Sequence, residues 1–210
     1  KGRGEMIIPS TVQDVIMARG DKLPEGAKEL LQIGSVIERE FTYRLIKMAS
    51  EISEQELLSW LSILKDSELL FERGIYPEST YIFKHALTQE VVYDSILTRR
   101  KKELHKKIGQ TIEKLYEENL HEHYGILAEH FISSENYERG AEYSKLAGKK
   151  AEKTASFIGA IAYGEKRISC LEKLPVDNEV EKKIIDARTV LGLYYLQMML
   201  TVEAKAAVEP

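Results

Sequence analysis

Leu69-Leu70-Phe71-Glu72-Arg73, a turn-forming interval from Gly74 to Thr80, and then Tyr81-Ile82-Phe83-Lys84 form the stretch where this chain leaves the helical hydrophobic period. Two short aliphatic and aromatic runs around a Gly- and Pro-containing interval read as two strands and a connecting turn. Ahead of this stretch the pattern is helical. Pro24 sits where a first-turn proline is tolerated, and Ala27, Leu30, Leu31, Gly34 and Ile37 then share one face. Ser53 with Glu56 three residues on is a capping box, and it opens a helix striped by Leu57, Trp60, Leu61 and Leu64.

Behind the hairpin the helical period returns and stays. Leu87, Val91 and Ile96 mark one helix. Leu104, Ile108, Ile112 and Leu115 mark the next, after the basic run Arg99-Arg100-Lys101-Lys102. Tyr124, Leu127, Ala128 and Phe131 form a short helix ending at Ser133-Ser134-Glu135-Asn136. Its successor carries Gly140, Ser144 and Ala147 on its stripe, small residues that let two backbones approach closely. Phe157 to Leu171 and Val180 to Met198 continue the period on either side of Pro175. Helices ahead of a small hairpin are the pattern of a winged helix. Short antiparallel helices behind it are the pattern of a repeat solenoid. The expected fold is therefore mainly α: a winged-helix domain with a small β-hairpin over 23–98, then TPR-like helical repeats over 99–210. One tetratricopeptide-like hairpin, with Ala128, Phe131, Gly140 and Ala147, is readable; a second copy about 34 residues on is not.

Composition narrows the function classes. A chain of 210 residues that is 43% hydrophobic and 30% charged can bury a core. It contains no apolar run of the roughly 18–20 residues a membrane span needs, and no secretory signal is read at its start, so a cytoplasmic chain is expected. The lone Cys170 builds neither a disulfide framework nor a cysteine zinc cluster. A net charge of −4 excludes a globally basic nucleic-acid binder but leaves a local patch open.

The chain has no G-x-x-x-x-G-K-[ST] loop, no G-x-G-x-x-G after a strand and no H-E-x-x-H, so no catalytic residue and no resident cofactor is read here. His121, His123 and His130 are the nearest metal-like group, with His123 and His130 seven apart on one helix face; solvated imidazoles at a helix start are the plainer reading. Two features are sharper. Arg99, Arg100, Lys101, Lys102, Lys106 and Lys107 form a basic contact patch opposed only by Glu103. It could meet phosphates, or be a solvated or docked helix face. The helix that would enter a DNA groove argues against DNA, because Glu51, Glu54, Glu56, Asp66 and Glu68 outweigh Lys65 there. The second is His85, in Phe83-Lys84-His85-Ala86-Leu87-Thr88-Gln89-Glu90-Val91-Val92-Tyr93-Asp94-Ser95-Ile96-Leu97, where strand gives way to helix. An imidazole and free helix N–H groups can jointly meet an anion there, although a lone histidine at such a junction is more often a structural hydrogen-bonding group.

These residues resemble a known family. Ile8-Pro9-Ser10-Thr11-Val12-Gln13-Asp14-Val15-Ile16-Met17-Ala18-Arg19 is similar to the helix that closes the ATPase core of STAND signalling ATPases. Ser35-Val36-Ile37-Glu38-Arg39-Glu40-Phe41 and the Phe83–Leu97 stretch resemble the winged-helix signatures of that group, and Arg100–His105 with the Ala128–Ala147 hairpin resembles the start of its tetratricopeptide-like sensor. The resemblance covers roughly 7–173, and is nearest to the ATPase regions attached to class III adenylate/guanylate cyclases.

It implies that this chain is a regulatory, protein-interaction part of a larger signal-transduction AAA-type ATPase, with residues 1–22 the end of the core. ATP or ADP would bind the parent protein through an upstream phosphate-loop core, and an output domain such as a nucleotide cyclase would be controlled in cis. In the family, a winged-helix histidine in a His-Asp-Leu-like context senses ADP. His85 and Leu87 match that context; Ala86 replaces the aspartate, and Gly20 interrupts a stretch that relatives continue as helix. A protein or peptide ligand is expected on the repeats, where Tyr116, Tyr124, Tyr137, Tyr143, Tyr163, Tyr194 and Tyr195 are either anchors or ordinary packing. The alternative is a DNA-binding winged-helix transcription regulator.

Overall fold

The computed structural model describes residues 10–208. It is mainly helical with a small three-stranded antiparallel sheet. The chain divides into two compact units, one up to Leu104 and the other from His105. Residues 1–9, including Ile8 and Pro9 of the quoted segment, lie outside the described residues.

The first unit begins with α1 (Ser10–Asp21), whose last turn carries Gly20, and α2 (Glu25–Ile37). Pro24 is the cap residue of α2 rather than its first-turn residue, with φ −54° and ψ 147°. Ala27, Leu30, Leu31, Gly34 and Ile37 are all buried, as the helical period requires. Then come β1 (Glu40–Thr42), α3 (Tyr43–Ser50) and α4 (Glu54–Asp66). The Thr42 hydroxyl caps α3 by accepting from the Leu45 N–H at 3.2 Å. The Ser53–Glu56 capping box opens α4: the Ser53 hydroxyl accepts from the Glu56 N–H at 3.3 Å, and the Glu56 carboxylate accepts from the Ser53 N–H at 3.2 Å.

β2 (Leu70–Arg73) and β3 (Thr80–Phe83) form the expected hairpin, and the sheet order is β1-β3-β2. The third strand, β1, goes beyond the two strands read from the sequence. It pairs Phe41 with Tyr81 and Thr42 with Thr80. Three residues carry too little alternation to reveal a strand, so pairing to β3 decides this segment. Tyr81 and Phe83 point inward from β3, where Phe41 packs against both rings at 6.1 and 6.2 Å between centroids. Gly34 makes this possible, since a Cβ there would stand 2.8 Å from the Phe41 ring. α5 (Ala86–Ser95) then packs on α2, with Val91 and Val92 buried.

α6 (Thr98–Leu115) contains the division between the units, and the basic run lies inside its first turns rather than before it. In the second unit a short 3-10 segment (Glu117–Glu122) leads into α7 (Tyr124–Ser133), α8 (Tyr137–Lys153), α9 (Phe157–Leu171), α10 (Asn178–Gln197) and α11 (Thr201–Val208). From α7 onward each helix packs on the next. Ala128, Gly140, Ser144 and Ala147 are buried, and a Cβ on Gly140 would lie 2.9 Å from Ile132 and 3.2 Å from the Cys170 sulfur. The small residues therefore set how closely α7, α8 and α9 approach. Arg139 and Tyr143 both donate to Glu113, and the Arg139 guanidinium lies 4.1 Å above the Phe131 ring, tying α8 to α6 and α7.

One turn geometry recurs. In Ser134-Glu135-Asn136, Thr154-Ala155-Ser156 and Met198-Met199-Leu200 the middle residue is left-handed, with φ of 60°, 55° and 58°. The third N–H reaches back to the last helical turn: Asn136 to the Phe131 carbonyl at 2.9 Å, Ser156 to Ala151 at 2.8 Å, Leu200 to Tyr195 at 2.9 Å. This closes helix carbonyls in the Schellman manner without glycine. The same corner closes α4, where Glu68 has φ 57° and the Leu69 N–H reaches the Leu64 carbonyl at 3.0 Å, and α7, α8, α9 and α10 differ in length, so no fixed residue period is visible.

Candidate functional site

His85 is the cap residue of α5, with φ −129° and ψ 134°, and its side chain is exposed and makes no cap hydrogen bond. The imidazole therefore does not close the first N–H groups of α5, where the positive end of the helix dipole lies. Lys84 beside it pairs with Glu68 at 2.8 Å. That hydrogen bond is the main reason the Glu68 carboxyl is held below the usual range, and the charges of Arg19 and His85 lower it further. Lys84 and His85, at the N-terminus of α5, and Arg19 of α1 thus all favour the ionised form of Glu68, in the turn after α4. Such an arrangement suits an incoming anion that competes with Glu68. Ala86 is exposed and Leu87 half-buried.

The basic run is largely paired. Arg100 donates to Glu29 at 2.8 Å and lies 3.7 Å from Glu103; Arg99 donates to Glu103 at 3.3 Å. Lys101 lies 3.6 Å from Asp94 and over the Tyr93 ring at 4.3 Å. Lys102 and Lys107 are half-buried, and Lys106 is exposed. Sequence position brought these six together; the fold distributes them around α6 and gives Arg99, Arg100 and Lys101 acidic neighbours.

The α4 surface is acidic in three dimensions as well. Glu54 accepts from Tyr76, from Lys47 at 2.9 Å and from Tyr43 at 3.1 Å, which together push its carboxyl down to about 2. Glu56 is also held low, by its hydrogen bonds with Ser53. Both are firmly ionised near neutrality on the first turn of α4.

The histidine group separates. His121 lies in the 3-10 segment. His123 precedes α7 rather than sharing its face with His130, and it stacks on Tyr116 at 4.0 Å between centroids. His130 is buried, and its Nδ1 lies 2.9 Å from the Nδ1 of buried His105, a partner the sequence pattern did not suggest. Burial first, then the neighbouring imidazole, pushes His130 down to about 3. Among the described residues no group of three or more His, Cys, Asp or Glu is placed to hold a metal ion.

Cys170 is buried with Ala141, Leu171 and Ala187, which raises its thiol and suits packing rather than nucleophilic chemistry. The seven tyrosines of the second half are all buried or half-buried, and Tyr194 and Tyr195 donate to Glu152 and Glu165 at 3.1 and 2.7 Å. Tyr143 and Tyr194, the two fully buried ones, are packing residues. No described helix is long and apolar enough to cross a membrane. No family model, curated protein or solved structure matches the chain.

Proposed function

We propose that this chain is a regulatory and protein-interaction part of a multidomain signal-transduction ATPase. Its first unit is read as a winged helix that acts as an ADP-sensing latch, and its second as a TPR-like array that receives a protein or peptide. The observation that carries the reading is His85, exposed and uncapped at the N-terminus of α5, next to the Lys84–Glu68 ion pair. The order of elements α2-β1-α3-α4-β2-β3-α5 and the sheet order β1-β3-β2 support the winged-helix assignment. Packing of each helix on the next from α7 onward supports the array.

In this reading the upstream core holds the nucleotide and His85 meets its terminal phosphate, so ADP favours the closed state. A ligand on the array favours the open state, and the coupling is typically worth about 1–3 kcal/mol. Catalysis and output belong to other domains, with a nucleotide cyclase the output implied by the resemblance. The acidic first turn of α4, with Glu54 and Glu56 ionised, weighs against the DNA-regulator alternative.

The test is nucleotide affinity of the parent chain with its core, wild type against His85→Ala. Clear weakening of ADP with little change in ATP is expected. Equal ADP affinity in the two proteins overturns the latch. A duplex-binding titration at two salt concentrations separates the alternative: a DNA regulator binds with steep salt dependence, and this chain is expected not to bind.

A further inference from the structure

α8 and α10 both pack on α9, and between them lies a cleft of about 180 Å³ in the second unit. Its lining mixes apolar residues with a group of polar and charged ones. Ser144, Lys145 and Lys149 come from α8, Arg167 from α9, and Asp186 from α10. Spacings of four place Ser144 with Gly148, and Lys145 with Lys149, along one side of α8. Two links join α8 to α10: Lys145 stands 3.8 Å from Asp186, and Tyr194 donates to Glu152 at 3.1 Å.

Two features of this lining are unusual. The Ser144 side chain is 1% exposed, and its hydroxyl is buried with no hydrogen-bond partner. A buried hydroxyl left this way is unfavourable, and a ligand oxygen would relieve it. Arg167 is 6% exposed, an uncommon place for a guanidinium, and one of its nitrogens donates to Asp186 at 2.7 Å. A single carboxylate edge engages only part of a five-donor fork. Of the charged lining residues, three are cationic and one is anionic, which leaves the cleft with an excess of two positive charges.

We propose that this cleft is a site for a phosphate dianion, inorganic or monoester, bound by Lys145, Lys149 and the remaining donors of Arg167, with the Ser144 hydroxyl as a fourth donor. The excess of two charges matches a dianion better than a carboxylate. The volume lies below the roughly 300 Å³ at which sites for whole drug-sized ligands begin, so the cleft takes the phosphoryl group and leaves the rest of the ligand outside. The phosphoryl group comes either as free phosphate or on a side chain of a bound peptide.

Calorimetric titration of the chain with inorganic phosphate, with a short phosphoserine peptide and with acetate tests this, chloride being matched throughout. Saturable binding of phosphate or the phosphopeptide is expected, with acetate much weaker. Tighter binding of the peptide identifies a phosphorylated partner, and equal binding identifies the free anion. Lys145→Gln/Lys149→Gln removes two charge-assisted bonds at exposed positions and is expected to weaken binding by at least about tenfold. Ser144→Ala is expected to weaken it several-fold; without phosphate both variants should keep the helical circular dichroism of the wild type, the lysine variant with an unchanged urea midpoint and Ser144→Ala with a midpoint no lower than the wild type's, since it removes an unpartnered buried hydroxyl. Absence of saturable binding at millimolar phosphate, acetate binding as well as phosphate, or unchanged affinity in either variant overturns the assignment.

Discussion

Acid should weaken the second unit before the first, and the reason is the buried His105–His130 pair. In the folded chain His130 stays neutral down to about pH 3, because burial penalises its charged form and His105 adds repulsion. In the unfolded chain it takes up a proton near the ordinary imidazole value of about 6.5. The folded value is the depressed one, so stability is fully present above pH 6.5 and is lost as pH falls toward 3. Between pH 7 and pH 5 one such histidine removes about 2 kcal/mol. That is a large share of the roughly 5–15 kcal/mol that holds a domain folded.

The assay is urea unfolding at several pH values with two probes. The chain's single tryptophan, Trp60, lies in α4 and follows the first unit by fluorescence; helical circular dichroism follows both. His123 also titrates low, mainly through burial, so the comparison is made with His105→Leu/His130→Leu, which removes the pair and keeps His123. Replacing both partners of a buried polar pair by apolar groups of similar size is nearly neutral near pH 7. The expected result is that the wild type loses about 2 kcal/mol more than the double variant between pH 7 and pH 5, in the dichroism transition and not in the Trp60 transition. Equal acid losses in the two proteins refute the reasoning, and so does a His130 imidazole that titrates near 6.5 by NMR.

Other consequences are simpler. Gly34→Ala places a Cβ 2.8 Å from the Phe41 ring, which the sheet holds in place; it should destabilise the first unit by about 1–2 kcal/mol, read from the Trp60 urea transition, despite alanine's better helix propensity. Ala155→Gly removes a Cβ from an exposed left-handed corner at φ 55° and should stabilise the second unit by about 0.5–1 kcal/mol, read from the dichroism urea midpoint; a loss of stability there would mean that the corner is not strained.

Long amphipathic helices were legible residue by residue because burial of one face imposes their period. The α2 stripe, the Ser53–Glu56 cap and the small-residue contact of Gly140 all stand where the pattern puts them. β1 and α3 were not legible: three and eight residues hold too few turns or alternations, and β1 exists because β3 offers it an edge. The candidate sites divided in the same way. His85 could be placed at a strand-to-helix junction from chain order alone. The Lys84–Glu68 ion pair beside it, which joins the end of β3 to the turn after α4, is made only by the fold.

The amino-acid sequence by itself determined what is local: helix positions, the hairpin, the helix caps, and the absence of a phosphate loop or a transmembrane run. Only the tertiary structure decided what depends on distant partners. It set His130 against His105, paired Arg100 with Glu29, and left the Ser144 hydroxyl unpartnered beside a buried Arg167. The physical reason is range. Periodicity and capping act over a few residues along one helix, whereas burial, ion pairing and clefts are made by side chains far apart in sequence that meet only when the helices pack.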